Sequence, residues 1–257
     1  MGAARPDPAD YMHEVARTAS AVAYKAHVVA ELGLARGIVV VDVGCGPGTD
    51  LPTMAETIGP TGLAVGVDLD PTMLGRAARR ESANTALVAG DAHRLPFRSA
   101  TVERIRTDRA LQHMADPRLV LSDFRRVLRP AGLAVIAEPD WGTLVIDAAR
   151  SDASDAFVQY TCREVVRNAV IGRKVARLGA EAGFVVDDVV AFPTVVREFE
   201  SADKVFGLTR NALAAAEAGY LDIDEARRWV GDLEAGPVLV AVTLFVTTLR
   251  KPVDART

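Results

Sequence analysis

Residues 39–49 read VVVDVGCGPGT, an apolar run that leads into a glycine-rich turn. Residues 38–43 predict a buried strand, and residues 49–58 predict the helix that follows it. A glycine-rich turn between a strand and a helix lets the backbone approach a ligand closely, and the helix N-terminus supplies N–H groups that lack intrahelical partners. The stretch therefore indicates a nucleotide-like ligand at the end of the first strand. A tight turn without a ligand is the simpler alternative.

The spacing of the glycines discriminates between classes of nucleotide. Gly44, Gly46 and Gly48 form a GxGxG pattern, whereas the dinucleotide fingerprint requires a further glycine at the position of Thr49. Asp42, just before the turn, suits a ligand that carries a cationic amino group instead of a diphosphate. The pattern disfavours an NAD(P)-dependent Rossmann oxidoreductase, as does the lack of a Tyr-x-x-x-Lys motif in the sequence.

Two more acids follow the next two predicted strands. Asp68 lies about 20 positions after Gly48, where an acid can accept hydrogen bonds from both hydroxyl groups of a ribose. Asp91 follows the third strand and can accept a hydrogen bond from an adenine amine, although an Asp after a strand is also a common turn residue. Asp70 has another explanation, because the following Pro71 marks a helix start and predicts Asp70 as its N-cap.

The rest of the chain alternates short apolar runs with helical segments, which predicts an α/β fold built from βαβ units on a mostly parallel sheet. Strands are predicted at residues 38–43, 63–67, 86–88, 102–106, 133–137, 184–196 and 238–249. Helices are predicted at residues 11–34, 49–58, 71–81, 117–128, 151–169, 171–182, 202–218 and 224–233. Residues 1–10 are predicted as a loose arm, and Gly132 as a turn before the fifth strand.

Four stretches resemble the class I S-adenosylmethionine-dependent methyltransferases. They are VVVDVGCGPGT at residues 39–49, GVDLDPTML at 66–74, GDAHRLPF at 90–97 and FRRVLRPAGLAVIAEPD at 124–140. They look most like the small-molecule branch that includes the ubiquinone and menaquinone C-methyltransferases. The resemblance implies a Rossmann-like, seven-stranded sheet with an antiparallel last strand. We expect a helical N-terminal lid at residues 1–36 and a methyltransferase domain at 37–257, with helical insertions around the sixth strand at about 140–169 and 201–235.

The resemblance also implies which residues bind the methyl donor, S-adenosylmethionine. The residues that would wrap its methionine part are Gly44, Cys45, Gly46 and Gly48, and Asp42 lies next to them. Asp68 would contact the ribose, with Leu69 assigned to the same site, and Asp91 and Ala92 would contact the adenine. Asp108, after the fourth strand, would lie near the sulfonium. Relatives often have Ser or Asn at the position of Asp108 and two histidines at Gln112-His113, so the acceptor chemistry does not follow from the resemblance.

Two residues are candidates for the chemistry itself. His113 follows the fourth strand, and an ordinary imidazole pKa near 6.5 suits a general base for acceptors that must lose a proton. A histidine making a structural hydrogen bond is the alternative. Asp140 follows the fifth strand and is expected to line the acceptor pocket, whereas the alternative is a turn at residues 139–142. No grouping of His, Asp and Glu has metal-ligand spacing, so no metal site is predicted.

Composition limits the partners of the chain. It has 257 residues, 49% of them hydrophobic and 25% charged, with a formal net charge of -4, which predicts a folded domain and disfavours nucleic acid as a partner. The longest apolar run, residues 238–246, is too short to cross a membrane. The start of the chain lacks a signal-peptide pattern, and its two cysteines form no CxxC pair. We expect a cytoplasmic protein with a small, largely apolar substrate, of undetermined oligomeric state. A non-catalytic S-adenosylmethionine-binding protein is the remaining alternative.

Overall fold

The computed structural model describes residues 19–80 and 82–253. The predicted arm at residues 1–10 and the part of the N-terminal helix from Tyr11 to residue 18 lie outside the described residues. The strands are β1 (Val39–Val43), β2 (Leu63–Asp68), β3 (Thr85–Ala89), β4 (Val102–Asp108), β5 (Leu128–Asp147), β6 (Val185–Val196) and β7 (Leu239–Arg250). The α-helices are α1 (Ala19–Leu32), α2 (Leu51–Ile58), α3 (Pro71–Ala77), α4 (Pro117–Val127), α5 (Ser151–Tyr160), α6 (Ile171–Glu181), α7 (Phe199–Phe206), α8 (Leu208–Glu217) and α9 (Ile223–Ala235).

The strands form one seven-stranded sheet in the order β3-β2-β1-β4-β5-β7-β6. Six strands are parallel, and the last strand, β7, is antiparallel and lies between β5 and β6. This confirms the predicted fold class. The strand order reverses at β1, which pairs with β2 on one side and with β4 on the other. In open α/β sheets, ligands bind beyond the carboxyl ends of the strands at such a reversal.

The chain divides into two compact units, of which one comprises residues 25–138, 171–190 and 245–253. Its core contains Val41, Ile105 and Ile136 from the sheet and Phe124 from α4, all of them fully buried. Helix α4 begins cleanly because Asp116 accepts hydrogen bonds from the N–H groups of residues 118 and 119, and Pro117 occupies its first turn. Its apolar residues recur with helical spacing, so one face packs on the sheet.

The other unit comprises residues 139–170 and 191–244, with residues 19–24 of α1. Trp229 of α9 is fully buried, and its Nε1 donates a 3.0 Å hydrogen bond to the Ser154 hydroxyl of α5. The Trp229 ring lies 5.3 Å from the ring of Phe157. Tyr24 meets Phe192 of β6 edge to face at 6.5 Å. Aromatic contacts therefore hold the helices of this unit together.

Three predicted boundaries were wrong. The fifth strand is β5, which runs from Leu128 to Asp147 instead of 133–137, and the predicted turn at Gly132 is an irregularity within it, with Ala131 at φ 62°. The helix predicted at 202–218 is two helices, separated by Gly207 at φ 65°. The helix predicted at 151–169 ends at Tyr160 and continues as a π-helical turn, Thr161–Val165. Among the described residues, no helix is both long and apolar enough to span a bilayer.

Candidate functional site

The glycine turn after β1 has a backbone that other residues cannot adopt without strain. Gly44, Gly46 and Gly48 have φ values of 72°, 53° and 70°. A Cβ on Gly44 would lie 2.5 Å from the Cβ of Ala110, and a Cβ on Gly48 would lie 2.8 Å from the Cβ of Ala77. The turn is therefore left-handed at three glycines and packed closely against its neighbours. Such a turn lets the backbone approach a ligand closely.

Asp68, at the end of β2, is fixed beside this turn. Its Oδ2 accepts a 2.8 Å hydrogen bond from the Gly46 N–H, and its Oδ1 accepts a 2.9 Å bond from the Asp70 N–H. A carboxylate oxygen can accept more than one hydrogen bond, so both oxygens can still receive the hydroxyl groups of a ribose. Leu69, next in the chain, is 73% exposed. Asp70 caps α3 through the Thr72 N–H at 2.7 Å, as predicted.

Asp91 lies after β3 in a turn, and its side chain binds His93, a partner that was not predicted from the sequence. Its Oδ1 accepts hydrogen bonds from the His93 N–H at 2.9 Å and from His93 Nδ1 at 2.6 Å. His93 Nε2 accepts a 3.0 Å bond from the Asp116 N–H, which places the proton of the neutral ring on Nδ1. These bonds from His93 lower the pKa of Asp91. Asp91 is thus an ionised acceptor next to Ala92, which is buried.

A buried arginine, Arg106 of β4, lies at the centre of the site. Asp42 and Arg106 are paired in register on β1 and β4, and Nη1 of Arg106 lies 2.8 Å from Oδ1 of Asp42. Nη2 of the same guanidinium lies 2.7 Å from a carboxylate oxygen of Asp50 and 2.7 Å from one of Asp108. Asp50 also binds Lys25 of α1 at 2.8 Å. Arg106 therefore holds three acids, which lie in β1, in the segment after β1 and at the end of β4.

This ion-pair cluster changes the charge expected at the site. Burial raises the pKa of Asp42 to about 6, although the adjacent Arg106 opposes this shift. Burial alone would also raise the pKa of Asp50, but Arg106 and Lys25 lower it below its usual value. Asp42 therefore lies in a network of ion pairs and does not face the turn as an isolated negative charge.

A second buried carboxylate, Glu138 near the middle of β5, holds the segment after β4. Its Oε1 accepts hydrogen bonds from the N–H groups of Ala110 at 2.8 Å and Leu111 at 2.6 Å, and its Oε2 accepts one from Gln112 at 3.3 Å. Burial raises the pKa of Glu138 to about 8, although these bonds act in the opposite direction. Glu138 thereby fixes the single turn of 3₁₀ helix that ends at His113.

The two candidate catalytic residues differ in their surroundings. His113 has an exposed side chain, yet neighbouring protein atoms desolvate the ring enough to lower its pKa. Asp140 is fully buried, and its Oδ1 accepts a 3.0 Å hydrogen bond from the Gly142 N–H, while its carbonyl accepts one from Thr143 Oγ1. Residues 139–142 lie within β5, so the turn alternative for Asp140 was wrong, and a role for either residue in catalysis stays a prediction. Cys45 is buried, which raises the pKa of its thiol and keeps it protonated.

Arg106 and Glu138 are site residues that were not predicted from the sequence. Both side chains are buried, and a buried charged side chain requires a partner. The need for a partner could have marked both residues in the sequence, but it does not identify the partner. Strand register brings Asp42 to Arg106, and the turn after β4 brings the N–H groups of residues 110–112 to Glu138. The structure brings together Asp42, Asp68 and Asp108 around the glycine turn, each at a strand end.

The chain matches a protein-family model described as a methyltransferase domain over residues 34–206. An uncharacterized 37.1 kDa protein in transposon TN4556 of Streptomyces fradiae is 43% identical over 243 residues, which cover 94% of this chain and 70% of that protein. A demethylmenaquinone methyltransferase of Staphylococcus aureus is 26% identical over 79% of this chain and 84% of its own length. The solved structure of BH2331 from Bacillus halodurans has a TM-score of 0.64 and 19% identity, covering 89% of this chain and 98% of that one.

These matches agree with the strand order, the antiparallel last strand and the glycine turn. The family model spans more than half of the chain, and the Streptomyces relative spans nearly all of it. The chain belongs to the class I S-adenosylmethionine-dependent methyltransferases.

Proposed function

We propose that the chain binds S-adenosylmethionine at the glycine turn and methylates a small, largely apolar metabolite. The observation that carries the proposal is the turn itself, where the Gly46 N–H bonds to Asp68 and no Cβ fits at Gly44. A turn this close to its neighbours is already shaped before a ligand arrives, which reduces the ordering needed on binding.

The residues present fit this donor. Asp68 would accept the ribose hydroxyl groups beside Leu69, and Asp91 with Ala92 would contact the adenine. The methionine part would lie along Gly44, Cys45, Gly46 and Gly48, near Asp42 and Asp108. When bound, the donor supplies an electrophilic methyl group on a positively charged sulfur.

The protein's contribution to the reaction is mainly orientation. In-line transfer to a nucleophile depends on alignment and approach, and a site that excludes water favours dispersal of the donor's charge. Where the acceptor must lose a proton, we propose that a ring nitrogen of His113 accepts it, because a lowered pKa leaves the imidazole neutral near pH 7. We propose Asp140 as a residue of the acceptor pocket.

The acceptor class has two supports. The net charge of -4 argues against nucleic acid, and we propose neither nucleic acid nor membrane as a partner. The Staphylococcus aureus relative is named for methylation of demethylmenaquinone, which favours a metabolite over a macromolecule. We also propose that the protein is cytoplasmic.

Calorimetric titration of the purified chain with S-adenosylmethionine and S-adenosylhomocysteine tests donor binding. We expect Kd values in the micromolar range and a loss of about 10- to 100-fold in Asp68→Asn, because hydrogen bonds to a charged acceptor are worth about 1.5–3 kcal/mol. Asp70→Asn is the matched control, since its side chain caps α3, and its affinity should not change. The proposed donor site would be refuted if Asp68→Asn bound S-adenosylmethionine as tightly as the wild type does. It would also be refuted if NADH, and not S-adenosylmethionine, raised the Tm of the chain.

A second experiment tests the reaction. The wild-type chain is incubated with donor and a panel of phenols, amines and quinols, and products are detected by mass spectrometry. We expect transfer to at least one apolar member of the panel and none to oligonucleotides. Donor binding without transfer to any compound would instead favour the non-catalytic alternative.

A further inference from the structure

Three side chains of the kinds that bind metal ions converge, and none of them belongs to the residues assigned to the donor. His27 and Glu31 lie one helical turn apart on α1, and Asp188 lies on β6. One ligand atom from each residue, a ring nitrogen or a carboxylate oxygen, lies within 4.8 Å of the others. Residues four apart share a helix face, so His27 and Glu31 can bind one ion together while Asp188 closes the site from the strand.

A hydrogen bond from a neighbouring strand fixes one carboxylate of the cluster. Oε2 of Glu31 accepts a 2.8 Å hydrogen bond from the hydroxyl of Thr248 on β7. A hydrogen-bonded ligand carboxylate is a common outer-shell feature of metal sites, because it fixes the orientation of the oxygens. His27 and Glu31 are half-buried and Asp188 is exposed, so the cluster can be reached from solvent.

The charge of the cluster also favours a divalent cation. Two carboxylates and a neutral imidazole carry a formal charge of -2, which a divalent ion would balance. The neighbouring Arg250 is engaged elsewhere, since its Nε and Nη2 both lie 2.8 Å from the carboxylate of Asp187. Successive residues of a strand point to opposite faces, so the side chains of Asp187 and Asp188 are directed apart.

We propose that His27, Glu31 and Asp188 form a binding site for a divalent transition-metal ion, with Zn²⁺ as the best match. One imidazole nitrogen and carboxylate oxygens are ligands that Zn²⁺ accepts at about 2.0–2.2 Å, and water completes the coordination. Side-chain rotations would bring the ligand atoms to separations of about 3.4 Å, as a tetrahedral ion requires. The ion would fasten α1 to β6.

This proposal is independent of the donor site and contradicts the expectation from sequence that no metal is bound. The spacing of His27 and Glu31 is an ordinary helical pair, and Asp188 lies more than 150 positions further along the chain. The third ligand is supplied by the sheet topology, which no local pattern indicates.

The test uses the full-length chain after treatment with a chelator. Zn²⁺ is titrated by calorimetry, and Co²⁺ binding is followed by its visible absorption. We expect one equivalent of either ion to bind and to raise the Tm. His27→Gln and Asp188→Asn should each weaken Zn²⁺ binding by at least about tenfold. Glu31→Gln, which preserves a hydrogen bond to Thr248, should weaken it as well.

Two controls separate this site from adventitious binding. Asp187→Asn alters the adjacent acid that binds Arg250, and His93→Gln removes a histidine that binds Asp91 instead. Both variants should bind Zn²⁺ as the wild type does. Circular dichroism confirms that each variant is folded. The proposal is overturned if the wild type binds no Zn²⁺, or if His27→Gln and Asp188→Asn bind it with unchanged affinity. Neither outcome affects the donor-binding experiment.

Discussion

Arg106 of β4 faces Asp42 of β1 across paired strands, with Nη1 of the guanidinium 2.8 Å from Oδ1 of the carboxylate. Both side chains are almost completely buried. The same guanidinium also binds Asp50 and Asp108, so one cation serves three acids. Removing one partner of a buried ion pair leaves uncompensated charge in a medium that solvates it poorly.

Arg106→Met should therefore lower the free energy of unfolding at pH 7 by about 3–5 kcal/mol. The free energy of unfolding of Arg106→Lys should lie between those of the wild type and Arg106→Met, because one ammonium group cannot make the paired hydrogen bonds of the planar guanidinium. Urea denaturation provides the measurement. Arg129, half exposed beside Glu103, is the control, and Arg129→Met should change stability by less than about 1 kcal/mol. Equal losses at positions 106 and 129 would contradict the assigned role.

Gly44→Ala should destabilise the chain by at least about 2 kcal/mol, because a left-handed alanine is strained and its Cβ would overlap that of Ala110. Donor affinity should fall with it. Adding Ala110→Gly should recover part of the loss, and a double-mutant cycle measures the coupling. Gly75→Ala, in the open on α3, is the control and should be neutral or stabilise by up to about 1 kcal/mol. The absence of coupling between positions 44 and 110 would refute the packing argument.

The raised pKa of Glu138 predicts how stability depends on pH. Its pKa is about 8 in the folded chain and near 4.5 when unfolded, so between these values the folded state retains a proton that the unfolded state has released. The free energy of unfolding should therefore fall as pH rises from about 4.5 to 8, by up to about 1.4 kcal/mol per pH unit. Asp42, with a pKa of about 6, acts in the same direction at the acidic end of this range.

Urea midpoints measured from pH 5 to pH 8 test this dependence. Glu138→Gln cannot titrate, so its stability should vary less between pH 6 and 8 than that of the wild type, whatever its absolute value. If the slopes of the two proteins coincide, Glu138 is ionised in the folded chain and its three backbone hydrogen bonds outweigh burial.

His113 should titrate below the usual histidine pKa, because surrounding protein atoms disfavour its charged form. NMR titration of the ring, assigned by comparison with His113→Gln, gives the value without requiring a methyl acceptor. Once an acceptor is known, His113→Gln should lower kcat and leave donor affinity unchanged. A pKa at or above 6.5 would remove the support for a neutral base at this position.

Local patterns were sufficient for much of the fold and for part of the site. The alternation of apolar strands and helices predicted the sheet, and the cap at Asp70 followed from Pro71. The positions of the glycine turn and of Asp68 at the ends of β1 and β2 were predictable because they depend on spacing along one βαβ unit. The structure places the Asp68 carboxylate beside the glycine turn, on the Gly46 N–H, and its role in binding a ribose stays a prediction.

Longer-range contacts were not accessible in the same way. Pro139 and Gly142 indicated a strand end, but β5 continues past them, and Thr143 Oγ1 accepts a hydrogen bond from the Thr243 N–H of β7. Gly207 was compatible with a helix interior, yet it adopts a left-handed conformation and ends α7. Arg106 and Glu138 acquire their partners only through neighbouring strands, so their roles depend on tertiary structure.

Glu138 holds Ala110, and the Cβ of Ala110 occupies the space that a side chain at position 44 would need. The shape of the turn after β1 is therefore set in part from β5, two strands away in the sheet. A residue larger than glycine at position 44 should therefore cost less where position 110 lacks a Cβ, although the left-handed backbone would still strain it. Substitutions at positions 44, 110 and 138 should accordingly be coupled, so that the cost of replacing Gly44 depends on which residues occupy positions 110 and 138.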